Sequence, residues 1–283
     1  MRVLLFRLFG EDRYLKLTRL YHQLIIYAHN IIHPYHFDVS RYEGTFLENG
    51  LPVEGDEHLK GKVDRVIYIF WTGVNEITPN RLKGIESLEK VSGIKVLLIT
   101  PKNLHDYIVQ DDPLPEAYEY LSLNHKSDYL RSYFMYHYGG GYADIKTYYK
   151  SWIPAFEKLE QSDAFVIGYP EVGFWGAATG GITNHNLLDD LHYYWSLLIG
   201  NGAFICRPHT KLTQEWHEEA KRRIIENAAL LKEHPAKDIF GTNEDYPLPW
   251  SGMQGSIFHP LCLKYHNSLL KDKALMPSFE NYR

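Results

Sequence analysis

Residues Asn124–Lys150 read NHKSDYLRSYFMYHYGGGYADIKTYYK, and this stretch decides the fold. From Ser127 to Tyr138 the pattern is helical, with Leu130, Phe134 and Tyr138 on one face and Asp128 and Arg131, three apart, together on another. Gly139, Gly140 and Gly141 stop that helix. A short strand, Tyr142 to Lys146, is expected directly afterwards, its alternation sending Tyr142, Asp144 and Lys146 to one side and Ala143 and Ile145 to the other. A carboxylate and an ammonium thus leave one strand face beside a glycine turn, where other groups can approach the backbone closely. From the residues alone two readings stay open. Asp128 and Arg131 form either a preorganised pair beside a ligand or a surface ion pair next to a glycine helix stop.

Upstream, Val63 to Trp71 is a β-branched and aromatic strand. Thr78-Pro79 is an N-cap with proline at the first helical position, opening a helix that carries Leu82, Ile85, Leu88 and Val91 and closes at Gly93. Ile94 to Thr100 is a second buried strand, so β-α-β with a parallel pair is expected. Ligands of such sheets sit beyond the carboxyl ends of the strands, which brings Trp71, Thr72 and Gly73 to the site. Downstream, Asp163 to Gly168 reads as a strand, and Gly173 to Gly181 as a loop fit for an acceptor lip. A further strand runs from Asn201 to Cys206. Leu212, Trp216, Ala220 and Ile224 mark a helix docked on the sheet, with its charged residues largely solvated. Glu244 to Pro260 gathers Trp250, Ser251, Ser256 and His259 among glycines, and Lys264, Lys271, Lys273 and Arg283 make the tail basic.

At the other end, Tyr14 to Ile32 is an amphipathic helix with Leu17, Leu20, Leu24, Tyr27 and Ile31 on one face and Arg2, Arg7, Arg13, Lys16 and Arg19 before or along it. Either it packs on its own domain or it meets a membrane surface or partner. His29 and His33 share a helix face, but Pro34 breaks the helix before His36 can join them as metal ligands. Arg41 to Gly61 turns polar and glycine-containing, as a linker does. The expected organisation is a helical appendage with linker over residues 1–60 and a catalytic domain over 61–283.

Composition bounds the rest. The chain has 283 residues, 45% hydrophobic and 23% charged, with a net charge of −5, which excludes disordered, collagen-like and disulfide-scaffold classes. A pI near 6.3 offers no basic excess for nucleic acid. Two cysteines suit a reducing compartment. The start lacks a signal-peptide core and no run is long enough to span a bilayer, so a soluble, cytoplasmic protein with at most peripheral membrane contact is expected.

Ser127-Asp128-Tyr129-Leu130-Arg131, followed by Tyr138-Gly139-Gly140-Gly141-Tyr142-Ala143-Asp144, resembles the signature of the DXD-containing glycosyltransferases. These include Och-type mannosyltransferases, capsule and lipopolysaccharide sugar transferases and the clostridial glucosylating toxins. Asp144 follows Asp128 by 16 residues and Arg131 by 13, as in those enzymes. The strand Tyr68-Ile69-Phe70-Trp71-Thr72-Gly73 resembles their opening strand, and the likeness covers Val63 to Trp152. The resemblance implies a GT-A type open mixed α/β sheet. It implies transfer of a sugar from a UDP- or GDP-sugar to a hydroxyl of a glycan or lipid-linked acceptor, with retention in most relatives. Carried over, Trp71 stacks on the base, with Thr72 and Gly73 beside it. Asp128 and Arg131 hold donor hydroxyls and diphosphate, and Asp144 contacts ribose, sugar or a metal-bound water. Tyr142, Asn201, Trp250, Ser251 and Ser256 line the donor site. His259 is a candidate metal or phosphate ligand together with Asp144.

The chain departs from that pattern at Lys146, where the family's second aspartate ligates Mn²⁺ or Mg²⁺; a protonated lysine cannot. Three explanations follow: the ammonium neutralises the diphosphate without metal, the metal is held by Asp144 and groups from elsewhere, or activity is lost. The competing classes are a non-catalytic sugar-nucleotide or glycan-binding module and a metal-dependent hydrolase.

Overall fold

The computed structural model describes residues 11–53 and 59–280. Its centre is a six-stranded sheet: β1 (Val66–Phe70), β2 (Lys95–Ile99), β3 (Gly140–Ala143), β4 (Val166–Pro170), β5 (Ile199–Cys206) and β6 (Leu269–Lys271). The order is β2-β1-β3-β5-β4-β6, with β5 antiparallel to both neighbours and the other pairings parallel. Among the described residues eight helices accompany it: α1 (Glu11–Ile32), α2 (Pro79–Ser92), α3 (Leu123–His137), α4 (Ile153–Glu160), α5 (His185–Tyr193), α6 (Lys211–Glu226), α7 (Ala228–Glu233) and α8 (Gly255–Lys264). This is a GT-A-like α/β fold, with an apolar cluster on each side of the sheet.

The first crossover forms for the local reasons its sequence carries. The Thr78 side chain accepts the Arg81 N–H, Pro79 opens α2, and Gly93 closes it at φ +70°. β1 and β2 then pair in parallel register from Val66↔Lys95 to Phe70↔Ile99. The chain next returns across β1 to lay β3 on its other side. β1 and β3 therefore flank the point where the strand order reverses, and the crevice at their carboxyl ends is where such sheets bind ligands.

The glycine triplet differs from the simple helix stop. Gly139 and Gly140 both take positive φ, +63° and +78°, so the reversal from α3 into β3 is complete in two residues. Gly141 is already in the sheet, and a Cβ there would lie 3.1 Å from both Ile67 and Trp152. The strand accordingly starts at Gly140 and ends at Ala143, earlier than the alternation predicts. Asp144 N–H still donates to the Gly202 carbonyl at 2.7 Å, but Lys146 N–H turns back to the Asp144 carbonyl at 2.8 Å and ends the ladder.

The structure refines three other readings. Much of the stretch read as a linker belongs to the core: Tyr42 and Leu47 are fully buried in the same cluster as α3, α6 and α8. The charges of α6 are solvated at Glu218, Arg222 and Glu226, but Glu215 and Glu219 are buried, and Lys264 of the basic tail is buried with both Glu215 oxygens 2.8 Å from its Nζ. The apolar stripe of α1 faces outward rather than onto the domain. Among the described residues no helix is long and apolar enough to cross a membrane. Arg283 lies outside the described residues.

Candidate functional site

α3 and the end of β3 bring four charged side chains together. Ser122 caps α3 by accepting the His125 N–H, which sets Asp128 and Arg131 on the helix face that looks toward β3. Arg131 Nη2 lies 3.2 Å from Asp128 Oδ1 and 3.4 Å from Asp144 Oδ1. Lys146 Nζ donates to Asp144 Oδ2 at 2.8 Å, and the Tyr142 hydroxyl to Asp144 Oδ1 at 2.6 Å. The Arg131 guanidinium also covers the Tyr142 ring at 4.5 Å and donates to the Asn201 carbonyl at 3.3 Å. The side chains of Arg131 and Lys146 are only 11% and 10% exposed, Asp128 5% and Asp144 21%. Two cations and two carboxylates are held in a largely desolvated network with fixed geometry.

The two carboxyl groups are pushed in opposite directions. Burial raises the Asp128 pKa, and the nearby Arg131 charge only partly offsets it. Burial also acts on Asp144, but Lys146 first and Arg131 second outweigh it and hold the group below the usual carboxylate range. Asp144 is therefore the more readily ionised of the two.

Neighbouring elements complete the crevice. Continuing the β1–β3 register, Phe70 stands opposite Asp144, so Trp71, Thr72 and Gly73 follow at the same edge of the sheet. Thr72 donates to the Leu123 carbonyl at 2.7 Å and ties this edge to the start of α3; the half-buried Trp71 ring donates its N–H to the Asn75 carbonyl at 2.8 Å. His125, stacked on Tyr246, donates its Nε2–H to the Trp250 carbonyl at 3.1 Å and so ties α3 to the segment before α8. Trp250 itself is 63% exposed. Ser251 donates to the Gly180 carbonyl at 2.8 Å and Ser256 to the Ser251 carbonyl at 3.0 Å, so both hydroxyls tie the 173–181 loop and the start of α8 together.

Residues that the sequence did not single out support the network. Asn124 donates to Asp128 Oδ2 at 3.0 Å from one helical turn away, a spacing that was visible. Gly202 leaves room for Asp144, whose Oδ2 would stand 3.1 Å from a Cβ there. Phe279 places its ring 4.8 Å from Lys146 Nζ, held by the Ser278 N–H bond to the Thr147 carbonyl. Buried polar atoms without a hydrogen-bond partner also gather here: Arg131 Nε, Asn201 Oδ1 and both ends of the Gln254 amide. Asn201 and Gln254 adjoin through Gly255, where a Cβ would lie 3.3 Å from the Asn201 amide nitrogen. Orphan buried polar atoms cost about 1–3 kcal/mol each, and this group offers donors and acceptors to a polar ligand or water.

His259 is placed differently from a metal ligand. Its Nδ1 accepts the Ala178 N–H at 2.9 Å, so Nε2 carries the proton and points toward Glu171 Oε2, 3.7 Å away. The ring has no lone pair left for a cation. Burial lowers its pKa to about 4, against 6.5 for an exposed imidazole. The unfolded state thus binds the extra proton between those values. Stability held by the neutral ring is complete above pH 6.5 and is lost as pH falls toward 4, at up to about 1.4 kcal/mol per unit. Urea midpoints at neutral and acid pH are expected to diverge more for the wild type than for His259→Gln. Equal losses in both would contradict a buried neutral ring.

A directly held Mn²⁺ or Mg²⁺ does not fit the donor set around Asp144. Both its oxygens already face an ammonium, a hydroxyl and a guanidinium, and an ammonium stands where a second carboxylate would. Among the described residues, the three-member group with metal-ligand spacing is Asp112, His137 and His217, from the loop before α3 and from α3 and α6. There both histidine Nε2 atoms lie 2.7 Å from Asp112 Oδ2 and the Lys221 ammonium reaches Oδ1, so both oxygens of the carboxylate already have protein partners. Two surface concavities do not open on the Asp144 network. One is lined by Glu48, Glu215, Glu218, Glu219 and Glu226 against Arg222, a net acidic wall that repels a diphosphate; the other lies between Phe174, Trp175 and α5.

The sheet order defines the class, a GT-A-like α/β fold, with the candidate site at the carboxyl ends of β1 and β3. Within that class, the chain belongs to the capsular polysaccharide synthesis protein family, whose match covers residues 43–190 and so includes Trp71, Asp128, Arg131, Asp144 and Lys146. No curated protein and no solved structure matches the chain.

Proposed function

We propose that this chain is a glycosyltransferase of capsular polysaccharide synthesis, moving a sugar from a nucleoside-diphosphate sugar to a hydroxyl of a glycan or lipid-linked acceptor on the cytoplasmic side. The observation that carries the reading is the desolvated Asp128–Arg131–Asp144–Lys146 network at the point where the strand order reverses. In sugar transfer the leaving diphosphate gains negative charge. Preorganised cations in a low-dielectric site lower that barrier without reorganising at the moment of reaction. Arg131 and Lys146 supply those charges. Asp144 sets their positions, and Asp128, braced by Asn124, accepts from donor hydroxyls and fixes the reacting carbon. Trp71 offers a ring for the base, with Thr72 and Gly73 as the backbone edge beside it. Asn201 and Gln254 offer unpaired amide groups to hydroxyls or phosphate. Trp250 is free enough to close over the donor.

This reading takes Lys146 to act in place of a metal, so it is metal-independent. Lys146 also motivates the second reading, a module that binds the nucleotide sugar without turning it over. Thermal denaturation against UDP-, GDP-, CMP- and dTDP-sugars separates these from no binding at all. One donor is expected to raise the melting temperature by several degrees at saturating concentration, equally with Mn²⁺ and with chelator. Stabilisation abolished by chelator would refute the metal-independent role of Lys146, and no stabilisation by any donor would refute the function.

A further inference from the structure

We propose that α1 lies along an anionic lipid surface with its outward face in the headgroup region. From Leu17 to Ile32 the helix is inside out. Leu17, Leu20, Tyr21, Leu24, Ile25, Tyr27, Ile31 and Ile32 are between 44% and 69% exposed. On a helical projection these residues and Ala28 fill the solvent side with no polar residue among them. The polar residues lie on the other side of the helix. Asn30 donates to the Tyr193 carbonyl at 2.8 Å, His29 stacks on the Tyr193 ring at 4.3 Å, His22 meets Phe174 edge-on at 5.9 Å, and Arg19 covers Trp175 at 5.0 Å. Ile26 is the buried apolar contact of this inner side. An uninterrupted apolar face about 24 Å long on a water-soluble surface marks an interaction site.

The occupant follows from charge and width. Leu17, Leu20, Leu24, Tyr27 and Ile31 keep the three-four spacing of a helix pair, which makes a second copy the rival. Yet of the positions flanking that seam, Lys16, Tyr21, Gln23, Ala28 and Asn30, Lys16 alone is charged and no acidic position stands opposite it, whereas helix pairs set partner and register with complementary charges there. Tyr21, Ile25 and Ile32 also widen the face well beyond a two-helix seam. Residues 1–32 carry five basic side chains, Arg2, Arg7, Arg13, Lys16 and Arg19, against Glu11 and Asp12, in a chain of net charge −5. That local excess attracts anionic lipid and repels a parallel copy of itself.

The test is vesicle flotation of the full chain with phosphatidylcholine alone and with equimolar phosphatidylglycerol, at low and high salt. Binding to the anionic vesicles is expected to exceed that to neutral ones by about tenfold at low salt, and to fall at high salt. The double variant Leu24→Glu, Ile31→Glu, whose side chains are already exposed, is expected to keep its circular dichroism spectrum and lose vesicle binding. Equal binding to both vesicle types, wild-type binding by the double variant, or a wild-type dimer by light scattering that the double variant dissolves would overturn the proposal. The readout needs no transfer activity, so it stands apart from the functional reading.

Discussion

Asp144→Asn is expected to reduce sugar transfer by about two to three orders of magnitude. The exchange keeps the shape of the side chain and removes its charge. Lys146 Nζ at 2.8 Å, the Tyr142 hydroxyl at 2.6 Å and Arg131 at 3.4 Å all converge on this carboxylate. Without it the two cations lose the group that fixes their positions, and a misplacement of about 1 Å is worth about a hundredfold in rate. Removing one preorganised electrostatic contact costs a similar factor. Stability falls as well, because Arg131 and Lys146 are nearly buried and one partner of each is gone; about 3 kcal/mol is the expected scale. Activity is therefore compared only after the melting temperature shows the variant folded at the assay temperature. Asp128→Ala is expected to act in the same direction, since Asp128 pairs with Arg131 and accepts from Asn124. Wild-type rates in both folded variants would remove this crevice from consideration as the active site.

The second large effect is expected at Lys146. Lys146→Met keeps an unbranched stem against the Phe279 ring and removes the point charge. If the ammonium neutralises the diphosphate, donor affinity and rate together are expected to fall about a hundredfold, and added Mn²⁺ restores neither. Lys146→Asp is the informative partner. It presents a second carboxylate two residues from Asp144, with oxygen donors suited to a divalent cation. The expected result is loss of metal-free activity and recovery of part of it with Mn²⁺. Undiminished activity in Lys146→Met, with or without chelator, would show that the ammonium has no part in the reaction.

What could be read from the chain is what depends on neighbours in sequence. Thr78, Pro79 and Gly93 bound α2 because caps and left-handed stops are local devices, and Asp128 meets Arg131 because three residues make nearly one helical turn. The approach of both to Asp144 was carried by the resemblance, not by periodicity, since it depends on how tightly the glycine turn reverses. Two positive φ angles achieve that reversal, and this also moved the strand forward, so that Lys146 reaches Asp144 from a backbone turn instead of from strand alternation. Gly202, Gln254 and Phe279 had no signal, because each joins the crevice from a distant segment and its residue type is common in loops and helix ends. Lys264 was legible as a charge but not as a buried one, since its partner Glu215 lies 49 residues away. α1 shows the same limit from the other side. The apolar stripe was plain, yet the sequence could not say which face the domain would take, and the polar contacts of His22, His29 and Asn30 with α5 and the loop before it decided that.

The most direct test of the central claim is nucleoside-diphosphate release by the wild-type chain from whichever nucleotide sugar stabilises it, measured in chelator beside Asp144→Asn. Turnover in chelator by the wild type and its loss in the folded variant is the result this account predicts. Stabilisation without turnover across acceptors and metals would assign the crevice to binding alone and contradict the account.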